Sequence, residues 1–322
     1  MKIIFSTGKG GVGKSTLAAA AAWQLSQHHR VLITSLDPAH NLGDIFGVSL
    51  NGKRKAFSNN LHLDEVDLKK LSRDYLNREI GVLTDTYKYL QVLNLDNYFS
   101  VLQYSPGIEE YALLTSIEKT IQHEKDFDIV IFDTPPTGLT LRFLALPRIT
   151  ITWVDRLIQI RKRIIEKRHT IQKIRGNPET GKEESGIVLA YDESDDDVLK
   201  RLNQLKRNYD NLTSLLEGPD CSIFMVFNPD LLSLRESQRL VDGLGDLNLP
   251  LRLLFDNKVT SENTAMADTV EKTLRSGGLS SFPLMRISLL HEFQDAGSGA
   301  ALYNINEDIA SAILSTFNND GR

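Results

Sequence analysis

The sequence predicts an α/β fold, a mostly parallel sheet flanked by helices, with a helical subdomain added to it. Three observations lead there. Five short, continuously apolar runs rich in β-branched residues recur along the chain. Helical patterns separate them, as expected for strands buried on both faces of a parallel sheet. Polar residues end each run, at the edge where such sheets collect ligands. The scale agrees: 322 residues, 41% hydrophobic and 25% charged, are enough to bury a core without staples.

The elements follow in order. Lys2 to Ser6 is a short strand that runs into a glycine-rich turn, and an alanine-rich helix covers about Lys14 to His28. The second run, Arg30 to Leu36, ends at Asp37, and the third, Phe127 to Phe132, ends at Asp133. The fourth, Ser222 to Phe227, ends at Asn228-Pro229, and the fifth, Leu249 to Phe255, at Asp256-Asn257. Residues 68–125 read as a helical insertion broken at Pro106-Gly107. From 151 to 175, Trp153, Leu157, Ile160, Ile164, Ile171 and Ile174 repeat at helical spacing. From 198 to 216, Val198, Leu202, Leu205, Tyr209, Leu212 and Leu216 do the same. Each set is an amphipathic stripe. Residues 176–197 between them carry glycines and an acidic tail, which predicts a mobile acidic loop. The expected organisation is a core of 1–147 and 219–322 with a helical hairpin subdomain at 150–218.

Composition narrows the function. Lys plus Arg is 37 against 42 Asp plus Glu, a net charge of −5. A mildly acidic chain is a poor general binder of nucleic acid or anionic membrane. The single cysteine, Cys221, cannot by itself build a disulfide, a thiolate zinc site or an iron–sulfur cluster. Met1 to Phe5 is too short for a signal-peptide core, and no apolar run approaches the ~18 residues of a membrane span. A reducing, cytoplasmic location is expected.

The first strand end carries the sharpest motif. Gly8-Lys9-Gly10-Gly11-Val12-Gly13-Lys14-Ser15 fits the pattern G-x-x-x-x-G-K-[ST] between a strand and a helix. Such a loop turns its backbone N–H groups inward around phosphate oxygens, and the helix N-terminus adds its positive end. Lys14 is placed to reach β- and γ-phosphates, Ser15 to ligate Mg²⁺, and Thr16 to contact the α-phosphate. Lys9 is not needed by an ordinary loop of this kind. Either it is solvated, or it reaches a nucleotide held by a facing subunit. The expected fold is therefore a P-loop NTPase.

Two further strand ends belong with it. Asp37-Pro38-Ala39-His40-Asn41 follows the second strand, where a carboxylate either orients a hydrolytic water or caps the next helix. Asp133-Thr134-Pro135-Pro136-Thr137-Gly138 follows the third, where the aspartate can hold a water of the Mg²⁺ shell. The prolines and Gly138 suit a loop with alternative shapes that senses the γ-phosphate.

The string GKGGVGKST resembles the deviant Walker A of the signature-lysine ATPases. DPAHNLGDIF (37–46), SPGIEEYALL (105–114), DTPPTGLTLRFLALP (133–147) and NPDLLSLRESQRLVDGL (228–244) resemble its ArsA branch. That branch holds arsenite-pump ATPases and guided-entry ATPases for tail-anchored membrane proteins. The resemblance implies ATP and Mg²⁺ as ligands, a homodimer in which Lys9 acts in trans, and Asp37 positioning water with support from Asn41. It implies Asp133 beside the Mg²⁺ shell, Asn257 at adenine, a second adenine contact from about Arg286 to Leu289, and Glu236 and Arg239 near the dimer interface. It also implies a hydrophobic helical client or a membrane partner that passes anions, and no nucleic acid. The sequence departs from the family at Pro135 and Leu139, where alanine and histidine are usual. It also lacks the cysteines that hold interfacial zinc or arsenite in parts of the family.

The hairpin keeps three readings open. Its stripes pack on each other, or build a groove for a client helix, or meet a membrane surface through a basic amphipathic helix.

Overall fold

A computed structural model describes residues 1–38, 41–50, 52–86, 105–175, 192–279, 282–289, 305 and 307–318. It divides into two compact units, Met1–Leu144 with Leu216–Arg322, and Ala145–Leu215.

The first unit is built on an eight-stranded sheet among the described residues. The strands are β1 (Lys2–Gly8), β2 (Val31–Ser35), β3 (Lys55–Ala56), β4 (Leu61–Glu65), β5 (Ile129–Asp133), β6 (Cys221–Phe227), β7 (Leu251–Val259) and β8 (Leu284–Ser288), in the order β3-β4-β2-β5-β1-β6-β7-β8. Every pair is parallel except β3 with β4. β1 lies between β5 and β6, with Ser6 beside Asp133 and Phe224. The three strands whose ends carry the predicted motifs, β2, β5 and β1, are therefore neighbours, and the sheet order assembles the site.

The core is continuous apolar strand packed against helices. Ile3 to Phe5, Val31 to Ile33 and Ile129 to Phe132 are all buried. The helix Lys14–Leu25 buries Leu17, Ala18 to Ala22 and Leu25. Small alanines let this helix lie close to the sheet, at the carboxyl edge of β1. The insertion supplies the helices Leu68–Thr86 and Ile108–His123, which meet through stacked Tyr75 and Tyr111, ring centroids 5.9 Å apart.

The second unit contains most of the helix Thr137–Arg175, whose first turns belong to the first unit, and the helix Asp197–Leu216. Its buried apolar residues among those described include Val154, Ile165, Leu199 and Leu212. Arg161 clasps the buried Asp196 with Nε at 3.0 Å and Nη2 at 2.6 Å. Asp196 also accepts the Leu199 N–H at 2.7 Å, so one carboxylate both caps a helix and joins it to its neighbour.

Several expectations need correction. The sheet has three strands beyond the five expected, namely β3, β4 and β8. The first helix ends at Leu25, where Ser26 Oγ donates to the Trp23 carbonyl at 2.7 Å and a turn follows. The helix expected from 151 begins at Thr137 and runs through Pro147. The pairing of stripes within the hairpin fails on its first helix. Trp153, Leu157, Ile160, Ile164, Ile171 and Ile174 are exposed, Trp153 at 67%. The helix has two apolar faces, and the one carrying Val154 and Ile165 is the one that packs. The acidic segment is also not simply a loop: residues 176–191 lie outside the described residues, but Glu193–Asp195 form a 3-10 turn and Asp196 is buried.

Candidate functional site

The loop after β1 takes its shape from steric demands at two glycines. A Cβ on Gly8 would collide with the backbone carbonyl of Val226 on the neighbouring strand. Gly13, which precedes the helix, sits at φ +96, and a Cβ there would strike the Asn257 side chain. Between them the chain crosses the carboxyl edge of the sheet. The Lys14 ammonium curls back over this loop to the Lys9 carbonyl at 3.4 Å. Ser6 Oγ donates to the Lys14 carbonyl at 3.3 Å and braces the first helical turn from below.

These residues line a cavity of about 470 Å³. That lies within the ~300–1,000 Å³ of ordinary small-molecule sites. Gly10, Gly11, Gly13, Lys14, Ser15 and Thr16 form one side, and Asp37 and Asp44 form another. Asn257, Lys258, Ile287, Ser288, Leu289 and Ile305 complete it. The lining joins a glycine and lysine cradle suited to an anion with apolar Ile287, Leu289 and Ile305, a composition suited to a nucleotide.

Asp133 is the most unusual group in the site. It is fully buried, and neither carboxylate oxygen has a hydrogen-bond partner among the described residues. Burial lifts its carboxyl to about 6, with nearby Ser15 and Lys14 opposing the rise and Asp37 adding to it. An orphaned buried carboxylate beside a hydroxyl and an ammonium fits a place for an ion with its water. Ser15 and Asp133 therefore suit Mg²⁺, which takes one or two protein oxygens and leaves the rest to phosphate and water.

The segments that follow β2 and β5 are fastened at their roots. The Leu36 N–H donates to the Asp133 carbonyl at 2.8 Å. Thr134 Oγ1 donates to the Ser6 carbonyl at 2.8 Å, and Thr140 Oγ1 to the Pro135 carbonyl at 2.7 Å. Beyond Leu36, Asp37 is partly exposed at the cavity wall. Asn41 opens the helix Asn41–Phe46. Ala39, His40 and the Asn41 side chain lie outside the described residues.

β7 makes contacts that the motif reading missed. Asn257 is buried, and its Nδ2 donates to the Val12 carbonyl at 2.8 Å. Lys258 stands at φ +61, rare for a lysine, and its Nζ donates to the Gly11 carbonyl at 2.8 Å. The predicted base contact is thus also a latch on the phosphate loop, and Lys258 is a second latch. Only its place after Asn257 hinted at this. Arg286 does not face the cavity end as expected. It binds Glu271 at 2.6 Å and also pairs with Asp268 on the helix Thr264–Leu274, while Ile287 to Leu289 line the cavity. Glu236 is partly buried and Arg239 exposed on the helix Leu231–Asp246.

The comparisons with known proteins agree with this geometry. The model of the ArsA ATPase family, described as anion-transporting ATPase, matches residues 1–276. A protein of Aquifex aeolicus named putative arsenical pump-driving ATPase 2 is 29% identical over 265 residues, covering 82% of each chain. A second from the same organism, putative arsenical pump-driving ATPase 1, is 33% identical over 74% of this chain and 58% of its own. An ATPase ASNA1 homolog of Entamoeba dispar is 28% identical over 82% of this chain and 78% of its own.

Proposed function

The chain belongs to the ArsA family of anion-transporting ATPases and is an ATP hydrolase of that family, and on this premise we propose that it works as a homodimeric nucleotide switch that captures a hydrophobic helical client such as a tail-anchored membrane segment. The observation that carries the ATPase part is the buried, orphaned Asp133 beside a glycine cradle and Lys14.

The chemistry follows from the residues. Gly8, Gly10, Gly11, Val12 and Gly13 supply backbone N–H groups around the phosphates, with Thr16 at the α-phosphate. Lys14 leaves the Lys9 carbonyl for the β- and γ-phosphates. Asp37 holds the attacking water in line, with Asn41 beside it, and accepts its proton as the water oxygen bonds to the γ-phosphorus and the bond from that phosphorus to the β–γ bridging oxygen breaks, releasing ADP and phosphate. Ser15 would hold Mg²⁺ and Asp133 a water of its shell, and the ion would supply neutralisation of charge on the phosphate oxygens. Asn257 and the stretch Ile287 to Leu289 take the base. Lys9 of the facing subunit neutralises charge on the transferring phosphoryl group. Glu236 and Arg239 face the partner, next to exposed Leu231 and Leu232, an apolar pair suited to an interface.

The exposed stripe from Trp153 to Ile174 supports a hydrophobic client. The competing reading, energising a membrane pump for arsenite, is disfavoured at the thiol. Cys221 is fully buried, and burial pushes its thiol up to about 12, which leaves no accessible thiolate for a soft metalloid. The working place of such a switch is the cytoplasm. Among the described residues no helix is long and apolar enough to cross a membrane.

The test is Asp37→Asn, co-expressed with a tagged tail-anchored segment. It should bind Mg·ATP, lower turnover by about 10²–10⁴-fold, and trap a complex of two chains and one segment. Near-normal turnover would remove Asp37 from its role. A folded, ATP-bound variant that captures nothing would reject the client.

A further inference from the structure

Seven of the twelve exposed large apolar side chains among the described residues lie on one helix: Ile149, Trp153, Leu157, Ile160, Ile164, Ile171 and Ile174. The cations of the same segment are not distributed evenly around it. Arg156 stands three residues after Trp153 and four before Ile160. Lys167 stands three after Ile164 and four before Ile171. Arg163 is seven residues beyond Arg156. Helical spacing puts all three within or beside the apolar row, and all three are exposed. None has a carboxylate partner among the described residues, and the one polar contact of Arg156 is to Gln159 at 3.3 Å. The segment's two carboxylates, Asp155 and Glu166, are eleven residues apart and share a different line. Asp155 is already engaged by Lys206 at 3.0 Å. A chain of net charge −5 thus presents a face with three cations, seven apolar groups and no acid.

We propose that this face docks on the surface of an anionic bilayer. The apolar row enters the headgroup boundary, and Arg156, Arg163 and Lys167 pair with lipid phosphates. Charge complementarity chooses this occupant. A client helix from a membrane core offers apolar contacts but no anion, and long Arg and Lys stems can snorkel aside for it. An anionic surface satisfies both halves of the row at once. Trp153, at 67% exposure, sits where an interfacial anchor belongs. On this inference the face given above to a client helix meets a bilayer instead, and the nucleotide chemistry proposed above is unaffected.

The experiment uses the full chain in a Trp23→Phe background, so that Trp153 is the only tryptophan. Vesicles of phosphatidylcholine alone are compared with vesicles that also contain phosphatidylglycerol, by flotation and by Trp153 emission. Binding with a blue shift is expected on the anionic vesicles only, reversed by high salt. Each cation near the surface contributes about 5-fold, so Arg156→Gln/Arg163→Gln/Lys167→Gln together should lower partitioning about 100-fold. ATP turnover of that variant should be unchanged, which shows that it is folded. Equal binding to neutral vesicles, no binding to anionic ones, or unaltered binding by the triple variant would overturn the proposal. A soluble complex with an apolar helical peptide, without vesicle binding, would give the face to a helix instead. Vesicle binding without client capture would leave this inference standing and reject the client reading alone.

Discussion

Asn257 and Lys258 bring the base side of the site into contact with its phosphate side. Two successive carbonyls of the loop, Gly11 and Val12, are held by two successive residues of β7. A hydrogen bond from a charged donor contributes about 1.5–3 kcal/mol when shielded and, exposed as the Lys258 bond is, about 1 kcal/mol, or roughly 5-fold in an equilibrium. Lys258→Met should therefore raise the KM for ATP about 5-fold and leave kcat nearly unchanged, as steady-state kinetics would show. A matching loss in kcat would mean that Lys258 acts on the reacting groups instead. One residue upstream, burial lifts the fully buried Asp256 carboxyl to about 7, with Glu271 adding to the rise and Arg286 opposing it. The unfolded chain releases that proton near pH 4. Between about 4 and 7 the folded state holds more protons than the unfolded one, so stability falls as pH rises through that window. Asp133, lifted to about 6, acts in the same direction. Asp256→Asn removes its share. Its Tm at pH 8 should exceed that of the parent by at least about 2–4 °C, the shift of ~1 kcal/mol in a large domain, and the gap should shrink towards pH 4. Parallel melting curves at both pH values would exclude Asp256 as a source of the slope.

At the scale of elements, the legible parts were those whose pattern has one physical solution. Continuously apolar runs with a polar end are buried parallel strands, and β1, β2, β5, β6 and β7 all follow that rule. β3 has only two residues, both exposed, and β4 alternates buried and partly buried positions. Such edge elements take their identity from a neighbour and not from their own composition. β8 is hardly more apolar, and its Arg286 is satisfied by the helix Thr264–Leu274. The hairpin shows a different difficulty. A helix with two apolar faces gives the same periodicity for either, so spacing could not choose between Trp153 and Val154. The choice is made by the clasp of Arg161 on Asp196, which no periodicity reports. Its removal in Arg161→Met leaves the Asp196 carboxylate without its cation in a part-buried setting, at a cost of about 1–3 kcal/mol. Hydrogen exchange across Asp197–Leu216 should accelerate while the amides of β1 and β5 keep their protection. Uniform acceleration everywhere would show that the clasp supports the whole chain and not one helix pair.

At the scale of the molecule, the proposed mechanism draws every group from one chain except the cation in trans, the part proposed for Lys9. Lys14, Ser15, Asp37, Asn257 and Lys258 all line one cavity, and Asp133 is buried beside Lys14 and Ser15. The Lys9 backbone only receives Lys14. If Lys9 serves the opposite nucleotide, Lys9→Ala should lower turnover by about 10-fold or more and weaken ATP-dependent dimerisation. Light scattering would show parent mass doubling with ATP and the variant lagging. A mass indifferent to ATP in both would refute the role in trans. The bond from the Leu36 N–H to the Asp133 carbonyl has a consequence for timing. The segments that carry Asp37 and Asp133, to which the proposed mechanism gives the water and the metal, share this one hydrogen bond at their roots. On the proposed reading, a nucleotide that loosens one segment should loosen the other, and exchange of the Leu36 amide with and without ATP would show whether the two respond together.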